Sequence, residues 1–195
     1  FWMGPVDQPA YGSGPENSLT SLAAEQGEHP AETFLRLSRE SAGKALFTQR
    51  VFNKNMKALA NLFSCEHCLP GLGDAGAHVS QVMDAGWATW VMSHWCRDTG
   101  HYSIPEAVRR LTSAPARIIG VDDRGVLAVG MRADINVFNL DRLGEKQPEI
   151  VHDFPFEAPR FIQRGAGYQA TICNGVTILR DDEHTGARAG QIVGR

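Results

Sequence analysis

The stretch Leu69-Pro70-Gly71-Leu72-Gly73-Asp74-Ala75-Gly76-Ala77-His78 decides how the chain is read. Residues 69–73 form an apolar segment of strand length that ends in an acid. The glycines at 71, 73 and 76 permit a sharp turn and a close approach of backbone. In parallel α/β proteins the reacting groups collect at the carboxyl ends of the strands, so Asp74 stands where a catalytic acid belongs. The alternative is that Asp74 caps the helix that follows or orders a loop.

Toward the amino terminus, Met56, Leu59, Ala60 and Phe63 recur at helical spacing, and 45–47 is an apolar run of strand size. Pro30 sits where a first-turn proline belongs, ahead of a helix carrying Phe34, Leu35 and Leu37 to about residue 41. Ser18 is placed to cap a short helix running to about Gln26, which Gly27 closes. Residues 1–17 read as an irregular loop. Helix, strand, helix, strand is the rhythm of parallel α/β architecture.

Toward the carboxyl terminus, a helix is expected over 84–97, with Trp87, Trp90, Val91, His94 and Trp95 on one face at i, i+3, i+4, i+7 and i+8. Ser103-Ile104-Pro105-Glu106 reads as a capping box that starts a further helix ending near Thr112. From Gly125 the texture turns to short β-type runs at 126–127, 135–140, 170–173 and 176–179. Asn174-Gly175 between the last two predicts a type I′ hairpin, which needs positive φ at both central positions. A soft boundary near residue 120 divides an α/β portion, 1–120, from a β portion, 121–195, with 141–167 as a Pro- and Gly-rich excursion.

Composition narrows the function classes. In 195 residues, 19 Lys plus Arg face 22 Asp plus Glu for a net charge of −3, and no basic cluster suggests nucleic acid. No apolar run approaches the ~20 residues of a membrane span. Four cysteines at 65, 68, 96 and 173 are too few and too unevenly spaced for a disulfide framework, so reduced thiols and a cytoplasmic setting are expected. Phe1-Trp2-Met3-Gly4 shows no basic segment followed by an apolar one, so no signal peptide is read. The chain is expected to be either processed at its terminus or part of something longer.

Cys65-Glu66-His67-Cys68 has the spacing of half a zinc site, but a closed site takes a second pair and none follows. The two cysteines therefore read as small core fillers. His94 reads as a core or helix-surface residue, and His29, His101, His152 and His184 have no partners by spacing. Neither a phosphate-binding loop nor a G-x-S-x-G elbow is present, so nucleotide hydrolysis and serine-esterase chemistry lose support.

Several segments together carry a resemblance: 71–78, Leu111-Thr-Ser-Ala-Pro-Ala-Arg-Ile-Ile-Gly120, Arg124-Gly-Val-Leu127, Gly130-Met-Arg-Ala-Asp-Ile-Asn-Val-Phe138, Asn174-Gly-Val176 and Thr185-Gly-Ala-Arg188. In this order they resemble the C-terminal third of the amidohydrolase superfamily, in the branch of the N-acyl-D-amino-acid deacylases (D-aminoacylases). The resemblance covers about residues 18–193. It implies an α/β fold comprising the C-terminal portion of a (β/α)8 TIM-like barrel plus strands of a small β-sandwich, with 1–120 holding the last βα units.

The resemblance further implies a metal-dependent hydrolase, usually with zinc, acting on C–N bonds other than peptide bonds in a small N-acyl amino acid. Asp74 is then the aspartate at the tip of the eighth strand, taking a proton from activated water and delivering it to the leaving amine. It is also a candidate metal ligand, and His78 a candidate for the wall of the substrate pocket. Two departures stand out. Gly73 replaces a Ser that the family usually carries before the aspartate. The seven histidines contain no His-x-His, and about 110 residues do not close a barrel. The sequence therefore reads as the downstream part of such an enzyme, expected to be inactive alone. Two other readings are a cyclic amidase, hydantoinase- or dihydroorotase-like, and a noncatalytic binding module.

Overall fold

Ser18 opens helix α1 (Leu19–Gln26) by accepting a hydrogen bond from Ser21 N at 3.1 Å, and Gly27 closes it, as the sequence indicated. The structure is a computed structural model that describes residues 1–4, 14–49, 52–71, 73, 75, 84–146 and 148–193. These divide into two compact units, Phe1–Met56 and Lys57–Arg195.

In the first unit, helix α2 (Pro30–Glu40) starts as expected at Pro30. Its cap was not anticipated. His29 Nδ1 accepts from Ala31 N at 3.2 Å, and the Glu32 carboxylate accepts from His29 N at 2.8 Å. Met3, Ala23, Thr33 and Leu37 are buried, and Thr33 keeps its hydroxyl satisfied by donating to Glu28. The strand expected at 45–47 is reduced to one antiparallel bridge, Trp2 to Phe47, flanked by Met3 N donating to Leu46 O.

The second unit is built around one apolar cluster. Helix α3 (Met56–Phe63) turns Leu59, Ala60 and Phe63 toward it, as their spacing predicted. The single helix expected over 84–97 is instead a composite. A 3₁₀ turn (Asp84–Gly86) leads into helix α4 (Trp87–Trp90), which widens into a π-helix (Val91–Asp98) closed by Thr99 N donating to His94 O at 3.0 Å. The wider turn brings Val91, Met92, Ser93, Trp95 and Cys96 under cover together, where an α-helical stripe selects fewer neighbours. Trp95 meets Phe63 and Trp90 edge-on, with ring centroids 5.4 and 5.6 Å apart. His94 stacks on Trp90 at 4.4 Å.

Helix α5 (Ile104–Leu111) is capped by Ser103, but Glu106 does not complete the box; its carboxylate serves Arg109 and Arg110 instead. Helix α6 (Ser113–Ile119) follows at once and ends at Gly120. Thr112 separates the two helices.

Among the described residues the strands all pair antiparallel. β1 (Ile135–Phe138), β6 (Tyr168–Cys173), β7 (Val176–Arg180) and β8 (Glu183–His184) form a sheet in the order β1-β6-β7-β8. Ile135 pairs with Ile172 and Val137 with Ala170. The β6–β7 hairpin turns at Asn174 (φ 50°) and Gly175 (φ 81°), the two positive angles its dipeptide requires.

Residues 141–167, read as an irregular excursion, hold two small ladders. These are β2 (Gly144–Glu145) with β5 (Gly165–Ala166), and β3 (Glu149–Phe154) with β4 (Ala158–Ile162). Conversely, 126–127 form no strand: Leu127 is 81% exposed, so that run has no apolar face to bury. No described segment pairs with 69–71 or 73, so the strand expected over 69–73 is not realised as a ladder among the described residues. A strand is defined by its neighbour, and a lone apolar run supplies none.

Candidate active site

Gly73 is pressed against the start of the composite helix. A Cβ there would fall on the Asp84 carbonyl oxygen, 3.0 Å from that carbonyl carbon and 3.0 Å from Trp87 Cδ1. The obstruction is backbone and cannot swing away, so the residue ahead of Asp74 is a glycine here for a local steric reason. A serine, which the resemblance led one to expect at this position, would meet the same obstruction.

The turn that receives Gly73 is held from the β side. Gly86 N donates to Gln163 Oε1 at 3.0 Å, and the Glu145 carboxylate lies so close that a side chain on Gly86 would collide with it. One turn on, the Thr89 and Tyr168 hydroxyls are 2.8 Å apart, tying α4 to β6. Burial raises the Glu145 carboxyl above the usual carboxylate range, and the negative charge of Asp84 raises it further. Glu145 thus holds a proton more firmly than an exposed glutamate. Sequence reading missed it, since nothing but its Gly144 neighbour distinguishes it within a Pro- and Gly-rich stretch.

Asp74 and His78 lie outside the described residues. Cys65 is exposed and Cys68 half-buried, so Cys65 is not the core filler it was read as. Among the described residues, no three His, Cys, Asp or Glu side chains gather as a metal-binding set. Nor is any helix among them long and apolar enough to cross a membrane. All four cysteines are free thiols.

A cavity of about 410 Å³ opens in the β portion, lined by Asp123, Gly130, Met131, Arg132, Ala133, Asn174 and Gly175. Hydrogen bonds from Arg124 and then Arg132, both at 2.9 Å, hold Asp123 at a pKa of about 2. Asp134 accepts from Asn174 N at 2.7 Å and pairs with Arg124. These charges satisfy one another, and the network serves the hairpin's footing.

The amidohydrolase family profile matches residues 71–179, more than half of the chain, beginning within the glycine segment. The chain belongs to the amidohydrolase family. It is 32% identical over 112 residues to a D-aminoacylase of Alcaligenes xylosoxydans xylosoxydans, a match covering 56% of this chain and 21% of that protein. An N-acyl-D-glutamate deacylase of the same organism is 31% identical over 94 residues, 48% of this chain and 17% of the relative. A dihydroorotase of Methanothermobacter thermautotrophicus is 35% identical over 88 residues, 43% and 20% respectively.

Among solved structures, a D-aminoacylase described as defining a novel subset of amidohydrolases superposes with a TM-score of 0.58 at 21% identity, over 100% of this chain and 37% of that one. A D-aminoacylase studied for its binuclear metal center superposes at 0.54 and 22% identity, over 91% and 34%. These likenesses show the fold to be part of the α/β amidohydrolase fold. The chain spans about a fifth of the length of the curated relatives it matches, and about a third of the solved structures.

Proposed function

We propose that this chain is the downstream part of a hydrolase that cleaves the linear amide bond of N-acyl-D-amino acids. The observation that carries the reading is the family match over 71–179, which opens on the glycine segment that Asp74 follows. In this reading residues 1–120 belong to the last units of a TIM-like barrel and 121–195 to a small β-sandwich.

Asp74 is the proposed proton carrier. It accepts a proton from the attacking water and donates it to the nitrogen of the leaving amine, and His78 lines the pocket four residues on. Zinc is the cofactor proposed for the whole protein, with Asp74 a candidate ligand. The described residues do not by themselves fit a zinc ion, so the proton steps rest on Asp74 alone. The partner is a small N-acyl amino acid, and the free thiols favour a cytoplasmic setting.

The similarity to a dihydroorotase supports a second reading, a cyclic amidase. Turnover by the full-length protein of N-acetyl-D-glutamate and other N-acetyl-D-amino acids, set against dihydroorotate and hydantoin, separates the two. The first reading expects release of free D-amino acid from the linear substrates, abolished by Asp74→Asn with metal content retained. Ring opening without deacylation overturns it, and unchanged turnover in that variant removes Asp74 from the chemistry.

A further inference from the structure

The Cys65-Glu66-His67-Cys68 turn takes no part in the proposed hydrolysis, yet it is built with care. Cys65 N donates to Leu62 O at the end of α3, and Cys68 N donates to Cys65 O at 3.2 Å, folding the turn back on itself. Buried Arg110 then reaches in from α5, its Nη1 donating to the carbonyls of Cys65 at 3.0 Å and Cys68 at 2.7 Å. Both cysteines are thus fixed at the backbone, on the two ends of one turn. Glu66 and His67 project into solvent between them, 3.5 Å apart.

The two sulfurs differ in access. Cys65 is exposed and Cys68 half-buried, while Cys96 is buried in the apolar cluster. Burial and the neighbouring thiol push the Cys68 thiol up, which leaves the outer sulfur as the one that meets reagents first. An outer sulfur that reacts, backed by an inner one on the same turn, is the arrangement that forms a disulfide instead of accumulating higher oxides.

We propose that Cys65 and Cys68 are a reversible dithiol pair that a hydroperoxide converts to an intramolecular disulfide. The Cys65 thiolate attacks the terminal peroxide oxygen, the O–O bond breaks, and the alcohol or water leaves with the proton. The sulfur of Cys68 then attacks the Cys65 sulfenic acid, expelling its hydroxyl as water and losing its own proton. Two thiols and one hydroperoxide give one disulfide, one alcohol and one water. A dithiol reductant reverses the step by exchange. The Arg110 clamp brings the ends of this turn together beforehand, so closure orders little additional chain.

The test uses the full-length protein, reduced, exposed to hydrogen peroxide, blocked with N-ethylmaleimide and cleaved after Glu66 by a glutamate-specific protease and before Asp74 and Asp84 by an aspartate-specific one. Because these cuts separate Cys65, Cys68 and Cys96, a peptide ending at Glu66 is expected to remain joined to the one spanning 67–73, two hydrogen masses lighter. Dithiothreitol is expected to part them. In Cys68→Ser, dimedone is expected to trap a sulfenic acid on Cys65; in Cys65→Ser, oxidation of Cys68 is expected to slow by at least about tenfold. The proposal is overturned if peroxide leaves both thiols open to maleimide. It is equally overturned if Cys65 proceeds to sulfinic acid with Cys68 still free, or if either cysteine is found joined to Cys96, Cys173 or another chain.

Discussion

Arg110 donates to the carbonyl of Cys68 at 2.7 Å across 42 positions of sequence, with its side chain almost wholly withdrawn from solvent. The same guanidinium is paired to Glu106 and lies 4.8 Å from the centre of the Tyr102 ring. It joins α5 to the turn that precedes the glycine segment. Arg110→Leu leaves two carbonyls without their donor and strips Glu106 of a partner, and is expected to destabilise the fold by about 3 kcal/mol. Arg110→Lys keeps the charge but loses the planar fork and is expected to recover less than half of that. Urea unfolding of the two variants checks this, and equal stability of Arg110→Leu and the parent would contradict it.

Acid unfolding follows from the same group. Hydrogen bonds from Arg109 and then Arg110 hold Glu106 at about 2, from an ordinary 4.5, and Asp123 is likewise held at about 2, from 3.8. Both folded values lie below the unfolded ones, so each carboxylate contributes its stability above its unfolded pKa and loses it as pH falls toward 2. The urea midpoint is expected to be level with respect to these two groups near neutral pH and to decline between about pH 4.5 and 2. Glu106→Gln is expected to flatten part of that decline. A midpoint in this variant that falls as steeply as in the parent would remove Glu106 from the effect.

At the candidate site, Gly73→Ala tests the close approach to Asp84. The added methyl meets backbone, so the segment must shift, at about 1–3 kcal/mol. A displacement near 1 Å ahead of Asp74 is expected to lower kcat of the full-length protein by about a hundredfold, with a smaller change in KM. Gly73→Ser is expected to behave no better, despite restoring the family's usual residue. Steady-state kinetics with an N-acetyl-D-amino acid checks both variants.

The hydroxyl pair Thr89–Tyr168 offers a narrower test. Tyr168→Phe removes one 2.8 Å hydrogen bond and little volume, and is expected to destabilise by about 1 kcal/mol. Thr89→Val in that background is expected to add less than it does alone, because the bond is already lost. Simple additivity in the double-mutant cycle would show the two hydroxyls to be independent.

What the sequence made legible was local chemistry. Ser18 and Gly27 bracket α1, Asn174-Gly175 makes the hairpin, and Gly120 stops α6, because each is decided by dihedral angles and by hydrogen bonds a few residues long. The π-helix was not legible. Its residues satisfy an α-helical period, and the cluster they share with Phe63, Tyr102 and Leu143 is assembled from distant parts of the chain. Arg110 carries no mark of burial, since its carbonyl partners are more than forty positions away. Glu106 had two available uses, cap and ion pair, and the neighbouring arginines decided between them.

The same balance applies at the candidate site. Asp74 was found from its place after a glycine segment, and Gly73 as a departure from the family. Its cause, the Asp84 carbonyl, became visible only once the two backbones were brought together. Glu145 was missed for the same reason: its environment is made by Gly86 and Asp84, some sixty positions upstream.

The segment Val91–Asp98 stores slack. A rung that skips five positions accommodates more chain per turn than one that skips four, so the same two endpoints, Trp90 and Thr99, span with fewer residues if the coil tightens. Shortening the protein by one position here is therefore absorbed as ordinary α-helix, whereas lengthening it meets a coil already at its widest.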